Sequence, residues 1–386
     1  MHRFHRLTVI ALAAALACPS PSFAAGPGVP AAANAQALPT AQDGYFQRIE
    51  RVADGVWLIA QPQPFHIQPI GNVVVVEQED GLVLVDAGGS PGAGRRIVEL
   101  VRSVSDKPVK AVAITHWHGD HALGLSAIAQ AWPQVEVIAT DTTASHLRGR
   151  SMKAYPKGVP DATQQAAFDQ RLEGLDTFLR DTLARPDLSV ADRRGFEASQ
   201  RLLNQYRLDT RDLYLVLPTR TFGERLLLDD PRRPVELRHP GRANTDGDLV
   251  AWLPKQRVIA TGDLLVAPIP FGFNAYPADW LRSLQSVKAL QPAVWIPGHG
   301  PAMRDDGYAD RVIALISHTR DAVAPLAARK VGVDQAKKDI DLSADRKRFV
   351  GEDAWLTRWF DRYWTQPFTD AAYREATGQP IEQGEG

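Results

Sequence analysis

One short stretch, residues 114–124 with the sequence ITHWHGDHALG, constrains the fold of this chain more than any other. It places four side chains that can bind a metal within six positions: His116, His118, Asp120 and His121. The preceding residues, VKAVAIT, are apolar and β-branched, which is typical of a buried strand. In an extended segment the first two imidazoles leave on the same side, and the glycine that follows permits a turn that brings the next two side chains back. Imidazoles and carboxylates without sulfur suit zinc, and also iron or manganese.

Residues 1–24 have the pattern of a secretory signal peptide. A basic start, MHRFHR, precedes an apolar run of eleven residues, LTVIALAAALA, and small residues precede a cut expected after Ala24. The run is too short to span a bilayer, which takes about 20 residues. The only cysteine, Cys18, lies in this segment, where it could be a lipoprotein acceptor, although ALAC lacks the usual leucine. We therefore expect a periplasmic or secreted protein that is free of the membrane after cleavage and has no disulfide and no zinc–sulfur ligation. Residues 25–44, rich in Ala, Pro and Gly, are expected to form a flexible leader.

The size and charge of the chain limit the classes of partner. Its 386 residues suffice for one large domain with additions, or for two modest domains. The formal net charge of −1 gives no bulk attraction to nucleic acid or to an anionic membrane. We therefore expect a small-molecule substrate and no nucleic-acid partner.

Beyond the leader, short apolar runs punctuated by Gly, Pro and Asp predict buried strands. A first set comprises GVWLIAQ, NVVVVEQ, GLVLVDAGG and VKAVAITH, and a second comprises TFGERLLLD, PVELRHPG, DLVAWLP, RVIATGDLLV and AVWIPGHG. Between the sets, at about residues 155–213, the apolar period becomes helical, and SVAD from Ser189 predicts a capping box that opens a second helix.

Residues 306–386 are also helical in pattern. Trp355, Trp359 and Tyr363 lie on one stripe of a predicted helix in this region. The three aromatic side chains favour a helix that packs on the core. The alternative is that they form a surface that binds a ligand.

The chain resembles the metallo-β-lactamase superfamily. THWHGDH matches its His-x-His-x-Asp-His signature, and the match continues in order through LVLVDAGG, NTDGDLVAWLP, VIATGDLL and IPGHG. The resemblance covers about residues 45–305, with the helical insert at about 155–213 and the helical extension at 306–386 as additions. It implies an α/β fold, the αββα sandwich, with a metal site at one edge between the two sheets.

The resemblance also implies a set of metal ligands. His116 and His118 match the ligands of a first metal, whereas Asp120, His121 and His299 match those of a second. Asp263 matches the carboxylate that reaches between the two. We therefore expect Zn²⁺ as the cofactor, with iron or manganese as alternatives.

The sequence departs from the family pattern at Asn244, where most members carry the histidine that completes the first metal site. A side-chain amide oxygen is a neutral and weaker ligand for zinc than an imidazole. Asn244 is expected to be a weak or water-mediated ligand, but His239 or His146 could substitute for it, or the first site could be incomplete. Because the second site keeps two imidazoles and two carboxylates, we expect it to bind its metal more tightly than the first.

The expected ions determine the expected chemistry. Zinc lowers the pKa of a bound water to about 7, so hydroxide is available at neutral pH, and Asp120 could orient it as well as bind metal. Asp86, at the end of a predicted strand, is expected to support a ligand imidazole or fix the loop rather than to bind metal. These features predict hydrolysis of an ester, thioester, lactone or amide, β-lactams included.

Aromatic side chains near Asp263 are the expected substrate contacts. The segment APIPFGFNAYP contributes Phe271, Phe273 and Tyr276, which form an apolar wall for the substrate or else pack against one another. His66, in QPQPFHIQP, lies on a loop that could overhang the site and is a further expected contact.

The same residues bear on alternative functions. Zinc β-lactamases with a cysteine ligand carry a lysine three residues later, whereas here Val266 follows Asp263 at that distance, which counts against a dedicated β-lactamase. A phosphodiesterase of the same fold is disfavoured by the lack of a basic stripe and by the export signal. A metal-binding protein without catalysis remains an alternative because of the altered first site.

Overall fold

The structure is a computed structural model, and it describes residues 47–60 and 70–384. The expected signal peptide, the leader and the segment that carries His66 lie outside the described residues. Within the described ranges, no helix combines the length and the apolar character needed to cross a bilayer.

Two β-sheets pack face to face. The first has seven strands in the order β1-β2-β3-β4-β5-β6-β7, and the second has five in the order β12-β11-β10-β9-β8. The strands of the first sheet are Arg48–Ala53 (β1), Val56–Ala60 (β2), Val73–Glu77 (β3), Leu82–Val85 (β4), Val109–Ala113 (β5), Glu136–Thr140 (β6) and Arg220–Phe222 (β7). The strands of the second sheet are Arg225–Leu228 (β8), Val235–Arg238 (β9), Val250–Leu253 (β10), Val258–Ala260 (β11) and Val294–Ile296 (β12).

The continuous apolar runs result from burial of both faces of the first sheet. In β3, Val74 and Val76 belong to the core between the sheets, whereas Val73 and Val75 belong to the core on the opposite face. Because successive side chains of a strand point to opposite faces, only a strand covered on both sides is apolar at every position. The prediction of buried strands is confirmed for these central strands.

Helices cover the outer faces of both sheets. Ile97 of one helix and Ile128 of another pack on the first sheet, and Trp280 packs on the second. The αββα layering expected from the sequence is therefore confirmed. The helices of the sandwich are Pro91–Arg102 (α1), Gly119–Ala122 (α2), Leu125–Ala131 (α3), Asp141–Arg148 (α4) and Pro277–Lys288 (α7).

The insert is a pair of helices, Ala162–Leu183 (α5) and Val190–Asp209 (α6). Ser189 caps α6, because its Oγ accepts a hydrogen bond from the backbone N–H of Asp192 at 3.1 Å. The carboxylate of Asp192 binds the guanidinium of Arg358 at 2.9 and 2.8 Å. The predicted capping box is thus half formed, since its acidic residue connects the insert to the C-terminal extension.

The C-terminal extension is helical, as expected, and it packs on the insert as well as on the sandwich. The Trp355 ring lies edge-on to Phe196 of α6, with centroids 5.1 Å apart. Gly195 is required there, because a Cβ on this residue would lie 2.4 Å from the indole of Trp355. The elements of the extension are Gly307–Ala328 (α8), Val333–Asp339 (α9), Ser343–Val350 (α10), Ala354–Phe360 (α11), a π-helical turn at Asp361–Thr365 and Gln366–Ala376 (α12).

One strand prediction needs correction, and two strands were missed. The run TFGERLLLD does not form one strand of the second sheet, because β7 pairs with β6 in the first sheet and β8 pairs with β9 in the second. Strands β1 and β6 were not predicted. Most of β1, RIERVA, is exposed or only partly buried, so it lacks the apolar pattern of a central strand, and β6 is a short run, EVIAT, beside a polar turn.

Candidate metal centre

The loop after β5 brings His116 and His118 together. His116 is fully buried, and its Nε2 lies 3.0 Å from Nδ1 of His118. The backbone that leads into His116 is fixed, since the N–H of Ile114 donates to the carbonyl of Ile138 and the carbonyl of Thr115 accepts from the N–H of Leu249. The two imidazoles therefore converge, although β5 ends at Ala113 and both histidines lie in the loop that follows it.

A second cluster forms one helical turn later. Asp120 and His121 lie in α2, and His299 follows β12 on the other sheet. Nε2 of His299 lies 3.1 Å from a carboxylate oxygen of Asp120 and 3.3 Å from Nε2 of His121. The residues that the resemblance assigned to a second metal are thus brought together from both sheets.

The carboxylate of Asp263 lies between the two clusters. Its Oδ2 is 3.6 Å from Nε2 of His116, and its Oδ1 is 3.2 Å from Nε2 of His121. Asp263 lies in a 3₁₀ turn, Gly262–Leu264, directly after β11. Gly298 makes room for it, because a Cβ at that position would lie 2.0 Å from Oδ1 of Asp263.

Asp86 fixes a histidine of each cluster from behind. Its Oδ2 lies 2.8 Å from Nδ1 of His121 and accepts a hydrogen bond from the Thr115 hydroxyl at 2.9 Å. Nδ1 of His116 lies 3.0 Å from that same hydroxyl oxygen. Asp86 adopts a left-handed backbone conformation, with φ of 65° at the end of β4, which turns its carboxylate back across the loop. These contacts place the carboxylate of Asp86 behind the two histidines, on the side of the rings away from the other ligand atoms.

In the neutral form of the histidines, which is the form that binds a metal, these supporting contacts leave the converging nitrogens without protons. The carboxylate of Asp86 orients Nδ1–H of His121 toward itself, and the carbonyl of Ile70 lies 3.0 Å from Nδ1 of His299. With both Nδ1 atoms donating, both Nε2 atoms present lone pairs to the carboxylates of Asp120 and Asp263. Four acceptors that face one another in a buried space repel, and a cation removes that repulsion. The donor set therefore fits a metal ion.

The electrostatics of the clusters agree with this arrangement. Burial holds the pKa of His116 well below its usual value, and burial likewise lowers the pKa of His118. For His121, burial opposes protonation, but the negative charges of Asp120, Asp263 and Asp86 raise its pKa well above the usual value. In the metal-free protein, a protonated His121 supplies the positive charge that a metal ion would otherwise provide to these three carboxylates.

Each cluster has the dimensions of a metal site. The ligand atoms of His116, His118 and Asp263 lie within 4.8 Å of one another, and so do those of Asp120, His121 and His299. Nitrogen and oxygen ligands in sets of this kind are those of zinc, and also of iron or manganese.

The side chain of Asn244 is held by one hydrogen bond and leaves its oxygen unsatisfied. Its Nδ2 donates to the carbonyl of Phe271 at 2.8 Å, which fixes the orientation of the amide. Its Oδ1 is buried and has no hydrogen-bond partner among the described residues. A buried carbonyl oxygen without a donor is costly unless a cation or water satisfies it.

The two histidines that could have replaced Asn244 are engaged elsewhere. Nδ1 of His146 lies 2.6 Å from Oγ of Ser151, and its Nε2 lies 2.8 Å from Oδ1 of Asp246. Nδ1 of His239 donates to the carbonyl of Asp248 at 2.6 Å. Neither histidine joins a ligand cluster among the described residues.

The predicted aromatic wall is only partly assembled at the metal centre. Phe271 packs against the imidazole of His299, with centroids 5.2 Å apart, and it also lies 4.9 Å from the ring of Tyr363. Phe273 lies 5.3 Å from Tyr363. Tyr276 is placed differently, because its ring is covered by the guanidinium of Arg242 at 4.4 Å. His66 belongs to the segment outside the described residues.

Tyr363 is a wall residue that the sequence did not identify. It belongs to the aromatic stripe of the C-terminal extension, and its carbonyl accepts a hydrogen bond from the backbone of Gly272 at 2.8 Å. Burial raises the pKa of its phenol, with a further contribution from the charge of Asp120. The stripe was predicted to dock on the core, and at Tyr363 this docking also builds the apolar side of the metal centre.

Comparisons with known proteins agree with the geometry. The chain is 24% identical over 261 residues to a linear primary-alkylsulfatase of Pseudomonas sp., an alignment that covers 65% of this chain and 44% of the relative. It is 27% identical to the probable metallo-hydrolase YqjP of Bacillus subtilis, over 64% of this chain and 72% of the relative. The chain thus spans less than half the length of the alkylsulfatase that it matches.

A solved structure shows the same fold. The stereoselective inverting sec-alkylsulfatase Pisa1 from Pseudomonas sp. superposes with a TM-score of 0.57 at 16% identity, over 85% of this chain and 50% of that one. The family model described as the metallo-β-lactamase superfamily matches residues 67–299, which is more than half of the 386 residues. With its two sheets and its His and Asp clusters, this chain belongs to the metallo-β-lactamase superfamily.

Proposed function

We propose that this chain is an exported, zinc-dependent hydrolase that cleaves a carbonyl bond, in an ester, thioester, lactone or amide, of a small apolar molecule. The observation that carries the proposal is the convergence of two ligand clusters on one shared carboxylate, Asp263. Export is proposed from the signal-like pattern of residues 1–24.

The proposed ligands follow the two clusters. His116 and His118 would hold a first zinc with the help of Asn244, whereas Asp120, His121 and His299 would hold a second, and the carboxylate of Asp263 would be available to both. The first site has the weaker third ligand, since the amide oxygen of Asn244 carries no charge. We therefore propose unequal affinities, with the second zinc bound more tightly.

Zinc bound in such a centre supplies a water of lowered pKa and stabilises the negative charge that develops on the substrate. Asp120 is suited to accept a hydrogen bond from the attacking water. Its side chain is 29% exposed, whereas that of Asp263 is 1% exposed, so Asp120 is the accessible carboxylate of the two. Burial would raise the pKa of Asp120, but the charge of His121 and the hydrogen bond with His299 outweigh burial and hold the pKa well below its usual value.

The proposed class of substrate rests on the aromatic side chains that line one side of the metal centre. Phe271 contacts the His299 ring and is itself backed by Tyr363. An aromatic surface of this kind favours an apolar acyl or aromatic group beside the bond that is cleaved. Val266, fully buried, takes no part in binding an anionic group at the position where some zinc β-lactamases have a lysine.

Cleavage of an alkyl sulfate ester is the second candidate. It is supported by the sequence similarity to a linear primary-alkylsulfatase. The apolar wall suits an alkyl chain as well as an acyl group. The two candidates therefore differ in the bond that is cleaved, a carbonyl bond or a sulfate ester, and share the same apolar binding surface.

A substrate panel separates these candidates. The zinc-loaded protein is assayed with a lactone, a thioester, an aryl ester, a β-lactam, a medium-chain alkyl sulfate and bis-p-nitrophenyl phosphate, each with and without a chelator. Chelator-sensitive turnover of a carbonyl substrate supports the proposal, and turnover restricted to the alkyl sulfate supports the second candidate. Turnover restricted to the phosphodiester, or none that responds to the chelator, overturns both.

Two variants connect the measured activity to this site. Asp120→Asn keeps the size of the side chain but removes the charge that accepts the proton, so turnover should fall by at least 100-fold. Asp334→Asn, on a side chain that is 92% exposed in α9, is the matched control and should leave the rate unchanged.

A further inference from the structure

The end of the chain returns to the rim of the metal centre. After α12, the segment of residues 379–384 runs beside the loop that carries Phe271 and Phe273. The hydroxyl of Tyr276 donates to the carbonyl of Ile381 at 3.4 Å, and Arg374 donates to the carbonyl of Pro380 at 3.4 Å. These contacts fix the course of the segment.

Gln383 connects two loops that are far apart in sequence. Its amide oxygen accepts a hydrogen bond from Nε1 of Trp117 at 3.3 Å, and its amide nitrogen donates to the carbonyl of Asn274 at 3.0 Å. Trp117 lies between the ligands His116 and His118. Asn274 directly follows Phe273 of the aromatic wall. One side chain thus ties the metal-binding loop to the wall.

Trp117 is held on its other sides as well. Only 3% of the residue is exposed, and its ring lies edge-on to His118 with centroids 4.5 Å apart. The opposite neighbour is His146, stacked at 5.4 Å and held in turn by Ser151 and Asp246. The indole N–H, the one polar atom of the side chain, is satisfied by Gln383. A buried donor that loses its acceptor is destabilised, so the indole would shift without Gln383.

We infer that Gln383 is a positioning residue of the metal centre. Through Trp117 it fixes the ring of His118 and slows the escape of the first metal. Through Asn274 it fixes the wall formed by Phe271 and Phe273, and so determines how tightly an apolar substrate is held. The inference has two parts: the effect on substrate binding is the substrate arm, and the effect on zinc release is the metal arm. The substrate arm rests on the proposed function, whereas the metal arm requires only that the first site binds zinc.

Two substitutions at this position separate the arms. Gln383→Ala removes both hydrogen bonds, whereas Gln383→Glu keeps an acceptor for Trp117 and removes the donor to Asn274. The control is Gln379→Ala, a matched substitution on the exposed part of the same segment. Cooperative thermal unfolding well above the assay temperature shows that the variants remain folded.

The metal arm is measured as the rate at which a chromogenic chelator removes zinc from the loaded protein. Loss of one hydrogen bond predicts about fivefold faster release of the weakly held zinc in Gln383→Ala. Gln383→Glu and Gln379→Ala should release it at the wild-type rate. Trp117→Phe, which keeps a ring but has no N–H, should match Gln383→Ala, and the double variant should add no further increase. Wild-type release from Gln383→Ala contradicts the metal arm.

The substrate arm is measured on the substrate found by the panel. Both Gln383→Ala and Gln383→Glu should raise KM by about fivefold with little change in kcat, since both lose the bond to Asn274. A lower kcat at constant KM, or an effect of equal size in Gln379→Ala, contradicts this arm. A wild-type protein that holds no zinc contradicts the proposed function itself, which distinguishes the two failures.

Discussion

Oδ2 of Asp86 lies 2.8 Å from Nδ1 of His121, and this contact determines which nitrogen of the imidazole faces the metal centre. A carboxylate can only accept, so the neutral form of His121 carries its proton on Nδ1 and directs a lone pair from Nε2 toward Asp263. The carboxylate thereby selects the tautomer that can bind a metal.

Substitution of Asp86 by Asn should therefore weaken the second metal site without changing the size of the side chain. The amide N–H facing His121 favours the tautomer with its proton on Nε2, where the metal would bind. We expect the affinity for the tighter metal to fall by about 10- to 100-fold, measured by zinc competition with a chelator of known affinity. Asp80→Asn, on a side chain that is 73% exposed, is the control. An Asp86→Asn protein with wild-type affinity would show that the contact does not set the tautomer.

Asn244 provides a gain-of-binding prediction. Its Oδ1 is buried without a partner among the described residues, and we propose that it faces the first metal. Asn244→His should tighten the weaker step of a zinc titration and leave the stronger step almost unchanged. The variant loses the hydrogen bond to Phe271, which costs only about 1 kcal/mol, so the fold should survive. Two equal tight steps in the wild type, or a weaker step that does not move in the variant, would argue that Asn244 is not part of the first site.

The described residues also predict a pH dependence of stability in the metal-free protein. Burial raises the pKa of Asp248 to about 8, well above the value of about 3.9 for an unfolded aspartate. Between these two values the folded state binds the proton that the unfolded state has released, so stability decreases as the pH rises from about 4 to about 8. Asp248→Asn, which is always neutral, should gain stability relative to the wild type across this window. Urea unfolding of both proteins at pH 5 and pH 8.5 tests this, and a difference that does not depend on pH would contradict it.

Export is tested by the mass of the protein from its native host. The pattern of residues 1–24 predicts a mature chain that begins near Ala25 and lacks a lipid. Intact-mass spectrometry should give the mass of that chain. A retained Met1, or the added mass of a diacylglycerol on Cys18, is the opposite result.

The sandwich and the ligand clusters were implied by the resemblance to the superfamily, whose motifs are short and local in the sequence. The ligand motifs follow apolar runs in the sequence. The central strands, such as β3, are apolar at every position because both of their faces are buried. In contrast, the residues that contact a polar ring can come from distant positions in the sequence. His146 remained an alternative to Asn244 because the sequence does not show that Ser151 and Asp246 occupy both of its nitrogens.

Contacts across long sequence separations escaped prediction for the same reason. The aromatic stripe indicated that Tyr363 is buried, but an apolar side chain packs equally well on many surfaces, and nothing local to it points to Phe271. Gln383 carries no pattern at all, since a single amide near the end of a chain is usually solvated. Its role depends on Trp117, 266 positions away.

The central claim, a two-metal centre that shares Asp263, is tested most directly by the metal content of Asp263→Ala. Removing this carboxylate leaves the two positive ions less compensated and deprives each cluster of an oxygen ligand. Zinc is measured by elemental mass spectrometry after gel filtration, with Asp334→Ala as the exposed control. We expect the control to retain the zinc of the wild type, with Asp263→Ala retaining a small fraction of it and no hydrolysis. Wild-type zinc content in Asp263→Ala would contradict the shared site.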